Sequence, residues 1–385
     1  MNATKVLVVD DRVLYRKILR DVVDQLPGAV TVGTAVNGEN CLRQVERLHP
    51  DLVLLDVEMP VMDGLSTLKV LKRDFPGIKV VMVSGGSRSA ADLTVQALEH
   101  GAVDFIPKPN GNSPEDSRRQ LTERIGSVLT LVREANPAPE ARAPEPARPA
   151  PAHPGDLSAP RAPRLAVVPP PPALRVVPKV TAELRKDVPR RFSVLAVGTS
   201  TGGPAALGVL IPALPASFPL PVVVVQHMPP GFTHSLAQHL NSRSELTVSE
   251  AQDGDEVARG RVLIAPGGRH MEVVRDGGRF VVRMNDGPPV RSCRPSVDVL
   301  FESVASAMST PVLSLVMTGM GDDGANGVGA LAQKGSYNLV QDAESCVVFG
   351  MPRAVAERGL AHEHHPLNKL AQRLRELAGN SGGPA

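Results

Sequence analysis

The chain has 385 residues, of which 42% are apolar and 21% charged, with a net charge of +2. That length suits two domains with a connector rather than one core, and the balance is that of a globular chain. The small net charge argues against a broad electrostatic surface for nucleic acid or anionic membrane. Cys41, Cys293 and Cys346 stand far apart, none in a CxxC pair. This argues against a disulfide framework or a zinc site and fits a reducing compartment. The N-terminus reaches charged residues too soon for a secretory apolar segment. No apolar run approaches the ~18 residues of a membrane span, so a cytoplasmic protein with no membrane insertion is expected.

The first segment alternates short apolar runs with amphipathic stretches. KVLVV (5–9), LVLLD (52–56), KVVMVS (79–84) and VDFIPK (103–108) read as strands. YRKILRDVVDQL, GENCLRQVERLH, GLSTLKVLKRDF and ADLTVQALEHG read as helices. Buried parallel strands are continuous apolar runs, so this βα repeat predicts a doubly wound parallel sheet. From 136 to 189 the chain carries 15 of its 37 prolines. Proline fixes φ and removes a backbone donor, which predicts an extended, partly polyproline II linker. Beyond it the strand pattern resumes with 192–198, 221–227, 261–266 and 313–319. A hairpin is predicted over 271–284, turning at Asp276-Gly277-Gly278.

In open α/β sheets, ligands bind beyond the carboxyl ends of the strands. In the first segment those ends carry Asp10-Asp11, Asp56, Ser84 and Lys108. Three carboxylates at one edge repel unless a cation joins them, and oxygen ligands suit magnesium. A lysine and a hydroxyl beside them are partners for a phosphoryl group. In the last segment, Gly198-Thr199-Ser200-Thr201-Gly202 matches G-x-S-x-G between a strand and a helix. A second strand ends at His227, and a third runs into a glycine-rich turn with Asp322 and Asp323. Ser200, His227 and one of these two acids are what a nucleophile, a general base and its orienting acid require. The order Ser–His–Asp departs from the Ser–Asp–His order of α/β-hydrolases. A binding module built on Gly-rich turns is the non-enzymatic alternative. No helix-turn-helix or basic recognition stretch supports a nucleic-acid partner.

Residues 3–130 resemble the response-regulator receiver family through VVDD (8–11), LLDVEMPVMDGL (54–65), Ser84 and DFIPKP (104–109). The resemblance implies that Asp56 accepts phosphate from a sensor histidine kinase. Asp10, Asp11, Asp56 and the Glu58 backbone carbonyl would hold Mg2+. Ser84 and Lys108 would bind the phosphoryl oxygens, and Phe105 matches the aromatic switch position. Gly64 is expected in a tight turn where φ can be positive. Arg12 stands where many receivers carry a smaller residue.

Residues 192–375 resemble the CheB-type chemotaxis protein-glutamate methylesterases. The matching stretches are GTSTGGPAAL (198–207), VVVVQHMPPGFT (222–233), APGGRHMEV (265–273), NDGPPVRSCRPSVDVLF (285–301), LVMTGMGDDGANG (315–327) and SCVVFGMPR (345–353). The resemblance implies Ser200, His227 and Asp323 as the catalytic residues, with the Met320 amide in the oxyanion hole and Thr201 and Arg294 in the active-site region. It implies hydrolysis of glutamate γ-methyl esters, and deamidation of glutamines, on chemoreceptors, without a cofactor for hydrolysis. It also implies that the receiver lies across the cleft until phosphorylated. The expected architecture is α/β, with two doubly wound parallel-sheet domains. A flavodoxin-like receiver (1–130) and a Rossmann-like methylesterase domain (191–378) with a hairpin excursion are joined by a Pro-rich linker (131–190). A disordered tail (379–385) follows, and a monomer is expected.

Overall fold

The computed structural model describes residues 3–109, 114–135, 184 and 187–379. Most of the expected linker and all of the expected tail but Gly379 lie outside the described residues.

The first domain runs β1 (Thr4–Val9), α1 (Val13–Gln25), β2 (Ala29–Ala35), α2 (Gly38–Leu48), β3 (Leu52–Asp56), α3 (Gly64–Asp74), β4 (Lys79–Ser84), α4 (Arg88–Glu99), β5 (Asp104–Pro107) and α5 (Pro114–Ala135). The strands form one parallel sheet in the order β2-β1-β3-β4-β5. Local chemistry starts three of the helices. Asn37, Asp63 and Ser87 each accept a hydrogen bond from the backbone N–H three residues on, which removes one of the unpaired donors of a helix N-terminus. β2 (AVTVGTA) is absent from the apolar-run reading because it is an edge strand whose residues are mostly only half-buried. α5 extends five residues past the expected boundary at 130.

The second domain runs β6 (Leu195–Thr199), α6 (Gly203–Leu210), β7 (Val222–Gln226), α7 (Phe232–Asn241), β8 (Thr247–Glu250), β9 (Arg261–Ile264), β10 (His270–Asp276), β11 (Arg279–Asn285), α8 (Val297–Ala307), β12 (Leu313–Val316), α9 (Ala325–Gln333), β13 (Tyr337–Gln341), α10 (Met351–Glu357), β14 (Glu363–His365) and α11 (Leu367–Gly379). Seven strands make a parallel sheet ordered β14-β13-β12-β6-β7-β9-β8. β10 and β11 form the antiparallel hairpin, closed by Gly277-Gly278 with Gly277 at φ 57°. From β6 the chain winds outward in one direction through β7 and in the other through β12. The crevice at that reversal is the place for a site.

The two domains pack together. One apolar cluster contains Leu7, Val53, Leu98 and Phe105 of the first domain and Leu207, Phe232 and Leu236 of the second. The Phe105 and Phe232 rings lie 4.6 Å apart across the boundary, a separation at which an aromatic pair adds about 0.5–1.5 kcal/mol beyond its burial.

Candidate active site and phosphoacceptor site

β1 and β3, neighbours in the first sheet, deliver Asp10 and Asp56 to one edge, and β5 delivers Lys108. Asp10 and Asp56 are buried. Lys108 Nζ lies 2.8 Å from Asp10 Oδ2 and 2.7 Å from Asp56 Oδ2, and 4.8 Å from the centre of the Tyr15 ring. Burial pushes the Asp56 carboxyl up to about 6; Lys108 opposes the shift, while Asp10 and Asp11 add to it. Burial by itself would lower Lys108, but its bonds to Asp10 and Asp56 outweigh that and hold it above its ordinary value. Carboxylate oxygens of Asp10, Asp11 and Asp56 lie within 4.8 Å of one another. This all-oxygen donor set, carrying more negative charge than Lys108 neutralises, fits a hard divalent cation.

Other expected residues sit differently. Ser84 Oγ is buried 2.7 Å from Thr94 Oγ1 and 3.3 Å from the Ala90 carbonyl, so it is held on α4 and makes no hydrogen bond to Asp56. The Glu58 side chain accepts from Ser89 Oγ at 2.9 Å. Gly64 does not adopt the positive φ expected of it; Val61 does, at 69°. Gly64 is required for another reason: a Cβ there would stand 2.1 Å from the Asp56 carbonyl oxygen.

In the second domain, the chain leaves β6 through Thr199 and Ser200. The Ser200 N–H donates to the Thr318 carbonyl at 3.0 Å, and its own carbonyl accepts from Gly203 N–H at 2.8 Å and Gln226 Nε2 at 2.9 Å. Gly202, at φ 77°, turns the chain into α6, with Pro204 in the first turn. His227 follows β7, and its N–H donates to the Thr199 carbonyl at 3.1 Å. Its Nε2 lies 2.8 Å from Asp323 Oδ2, while Nδ1 lies 3.6 Å from Cys293 Sγ. Ser200 Oγ makes no hydrogen bond among the described residues, although Ser200, His227 and Met320 line the same cavity of about 620 Å³.

The two candidate acids separate clearly. Asp322 is half-buried and pairs with Arg291 and, at 3.8 Å, with Arg358. Asp323 is buried against the N-terminus of α8. It accepts from Ser296 Oγ at 2.9 Å, Val297 N–H at 2.7 Å and Asp298 N–H at 3.1 Å. Burial would raise its carboxyl, but His227 and these amides outweigh that and hold it below its ordinary value. A helix N-terminus favours a carboxylate in this way. Burial would lower His227, yet Asp323 and Cys293 together push it up to about 9. Met320 is 38% exposed, and its N–H makes no hydrogen bond among the described residues. Gln226, Cys293 and Ser296 were not singled out from sequence. Only Ser296 left a local signal there, as a Ser three residues before Val299 at the start of an apolar helical run.

The roof of the cavity belongs to the first domain: Asp104, Phe105, Ile106, Arg124, Ser127 and Val128. Thr201 Oγ1, next to Ser200, donates to Asp104 Oδ2 at 2.7 Å. Away from the cavity, Glu99 of α4 bonds His239 at 2.6 Å and Arg243 at 2.8 Å.

Residues 195–374 match the family model described as CheB methylesterase, and residues 6–116 match that of the response regulator receiver domain. The protein-glutamate methylesterase/protein-glutamine glutaminase of Geobacillus kaustophilus is 40% identical, covering 98% of this chain and 100% of the relative. The protein-glutamate methylesterase/protein-glutamine glutaminase 2 of Methanosarcina acetivorans is 42% identical, covering 97% of this chain and 99% of the relative. The crystal structure of the Thermotoga maritima CheB methylesterase catalytic domain is 43% identical over 48% of this chain and 98% of that one, with a TM-score of 0.48. With both family models matched in order and full-length relatives about 40% identical over nearly the whole chain, the chain belongs to the family of receiver-containing protein-glutamate methylesterases/protein-glutamine glutaminases.

Proposed function

We propose that the protein hydrolyses glutamate γ-methyl esters, and deamidates glutamines, on chemoreceptors, under the control of phosphorylation at Asp56 by a sensor histidine kinase. The reading is carried by the bond between His227 and Asp323 at 2.8 Å in a cavity that also holds Ser200 and is roofed by the receiver.

Asp323 holds His227 through Nε2, so Nδ1 is the nitrogen free to act as base. Nδ1 takes the Ser200 proton as Oγ attacks the acyl carbon, and the imidazolium returns that proton to the departing methanol or ammonia. Water then hydrolyses the acyl-serine by the same proton path. The Met320 N–H is the donor for the oxyanion of the tetrahedral centre. The long Nδ1–Cys293 contact and the unbonded Ser200 hydroxyl suit an idle site, since catalytic hydrogen bonds tighten when substrate binds.

Asp10, Asp11, Asp56 and the Glu58 carbonyl are the residues that would hold Mg2+, which when bound offsets the charge of an incoming phosphoryl group. Lys108 pairs with the phosphoryl oxygens, and Ser84 leaves Thr94 to join it. That movement draws on α4 and β5, whose Glu99, Asp104 and Phe105 hold the second domain. Phosphorylation thus shifts the population toward an uncovered cavity. In this reading the enzyme acts as a cytoplasmic monomer.

The test is methanol release from methylated receptor fragments, with and without a small phosphodonor and Mg2+. Release is expected to be stimulated by phosphodonor, absent in Ser200→Ala, and present but unstimulated in Asp56→Ala. Stimulated release by Ser200→Ala would overturn the assignment of the nucleophile.

A further inference from the structure

Cysteine spacing argues against a zinc site, but folding brings Cys293 beside His227. We propose that His227 Nδ1 and the Cys293 thiolate form a two-ligand site for Zn2+ or a similar borderline-soft divalent cation, and that filling it silences the hydrolase. Sγ and Nδ1 are 3.6 Å apart. A tetrahedral zinc with bonds of about 2.3 Å to sulfur and about 2.0–2.1 Å to nitrogen sets its two ligands about 3.6 Å apart. The pair therefore needs little movement to accept the ion between them. The other ring nitrogen lies 2.8 Å from Asp323, the carboxylate–histidine arrangement that orients metal-bound imidazoles. Asp323 is itself anchored by Ser296, Val297 and Asp298. His227, Cys293 and Asp323 offer donor atoms within 4.8 Å of one another.

The remaining coordination positions open on the cavity that Ser200 lines, where water or a carboxylate product can complete the shell. Arg291 lines the same cavity but is paired with Asp298 and Asp322, so its charge is compensated. On binding, the thiol proton passes to solvent and Nδ1 donates its lone pair to the metal. That lone pair is the one the hydrolase reading assigns to the Ser200 proton. The inhibition therefore rests on that reading, whereas the binding does not.

The test uses the reduced full-length protein with Mg2+ in excess, so that the Asp10–Asp11–Asp56 cluster is occupied. Co2+ is titrated while the near-ultraviolet thiolate-to-cobalt charge-transfer band is recorded. Separately, Zn2+ is titrated into the methanol-release assay, each variant being normalised to its own rate in EDTA. The band is expected in wild type and in Cys346→Ser, and not in Cys293→Ser. Zn2+ should inhibit wild type reversibly, with Cys293→Ser needing at least about tenfold more. A band that persists in Cys293→Ser, or inhibition of both proteins by the same Zn2+ concentrations, overturns the site. A band lost in Cys293→Ser, with wild-type activity indifferent to Zn2+, upholds the site and overturns Nδ1 as the base.

Discussion

At the scale of single residues, the informative groups are those held away from their ordinary charge. Asp56 is raised from 3.8 to about 6 chiefly by burial. A carboxyl raised on folding favours the native state while protonated; that contribution is complete below about pH 4 and is lost as pH rises through about 6. Asp56→Asn cannot ionise and escapes the loss. Near neutral pH it should be more stable than wild type by about 1–2 kcal/mol, a figure discounted for solvent screening and for the partner Lys108 gives up. The gain should vanish near pH 4, and Mg2+ should raise the Tm of wild type alone. Equal melting curves at neutral pH would contradict the argument. His227, raised to about 9 with Cys293 among the causes, predicts ester hydrolysis that climbs with pH through that region. Its midpoint should fall in Cys293→Ala, as a pH–rate profile would show. Asp323→Asn should lose about 10⁴-fold in kcat with the fold intact. Asp322→Asn, altering only the half-buried ion pairs with Arg291 and Arg358, should change kcat by less than about tenfold.

At the scale of elements, the site depends on how helix starts meet strand ends. The N-terminus of α8 supplies two amides and the Ser296 hydroxyl to Asp323, so a helix with no residue in the proton path keeps the acid ionised. The start of α3 works by proximity: a Cβ at Gly64 would press on the Asp56 carbonyl at 2.1 Å. Gly64→Ala should cost about 1–3 kcal/mol through overpacking. It should also slow Asp56 phosphorylation, measurable as the rate of phosphodonor-dependent gain in mass. The hairpin of β10 and β11 is tied to α8 through the Val273 N–H, which donates to Ser303 Oγ at 2.9 Å.

At the scale of the whole molecule, the decisive feature is that the receiver roofs the cavity. Among the described residues the contacts are of mixed kind: an apolar cluster shared by the two domains with the Phe105–Phe232 pair in it, the Thr201–Asp104 bond, Arg88 with His234 and Gln238, and Glu99 with His239 and Arg243. Such an interface can be opened by a modest bias, since a shift of about 1.4 kcal/mol changes the open fraction tenfold. Glu99→Ala removes the partner of His239 and Arg243 at once without touching the cavity. It should raise methanol release severalfold in the absence of phosphodonor and leave the fully phosphorylated rate nearly unaltered. An unaltered basal rate would mean that α4 does not hold the closed arrangement.

Much of this protein was readable from one dimension. The βα alternation, the carboxylates and lysine at strand ends, and Ser200 and His227 all follow from patterns a few residues long, because buried parallel strands announce themselves as apolar runs and ligands gather where those runs stop. Edge strands such as β2 escaped, since half-burial leaves no such run. The choice between Asp322 and Asp323 needed the family resemblance at the sequence level. Tertiary structure separates them because burial at the α8 N-terminus depends on residues some 25 positions away in the chain. The approach of Cys293 to His227, the seat of Ser84 on α4 and the cover over Ser200 likewise had no local signature. They arise where distant segments pack, and packing is a property of the folded chain as a whole.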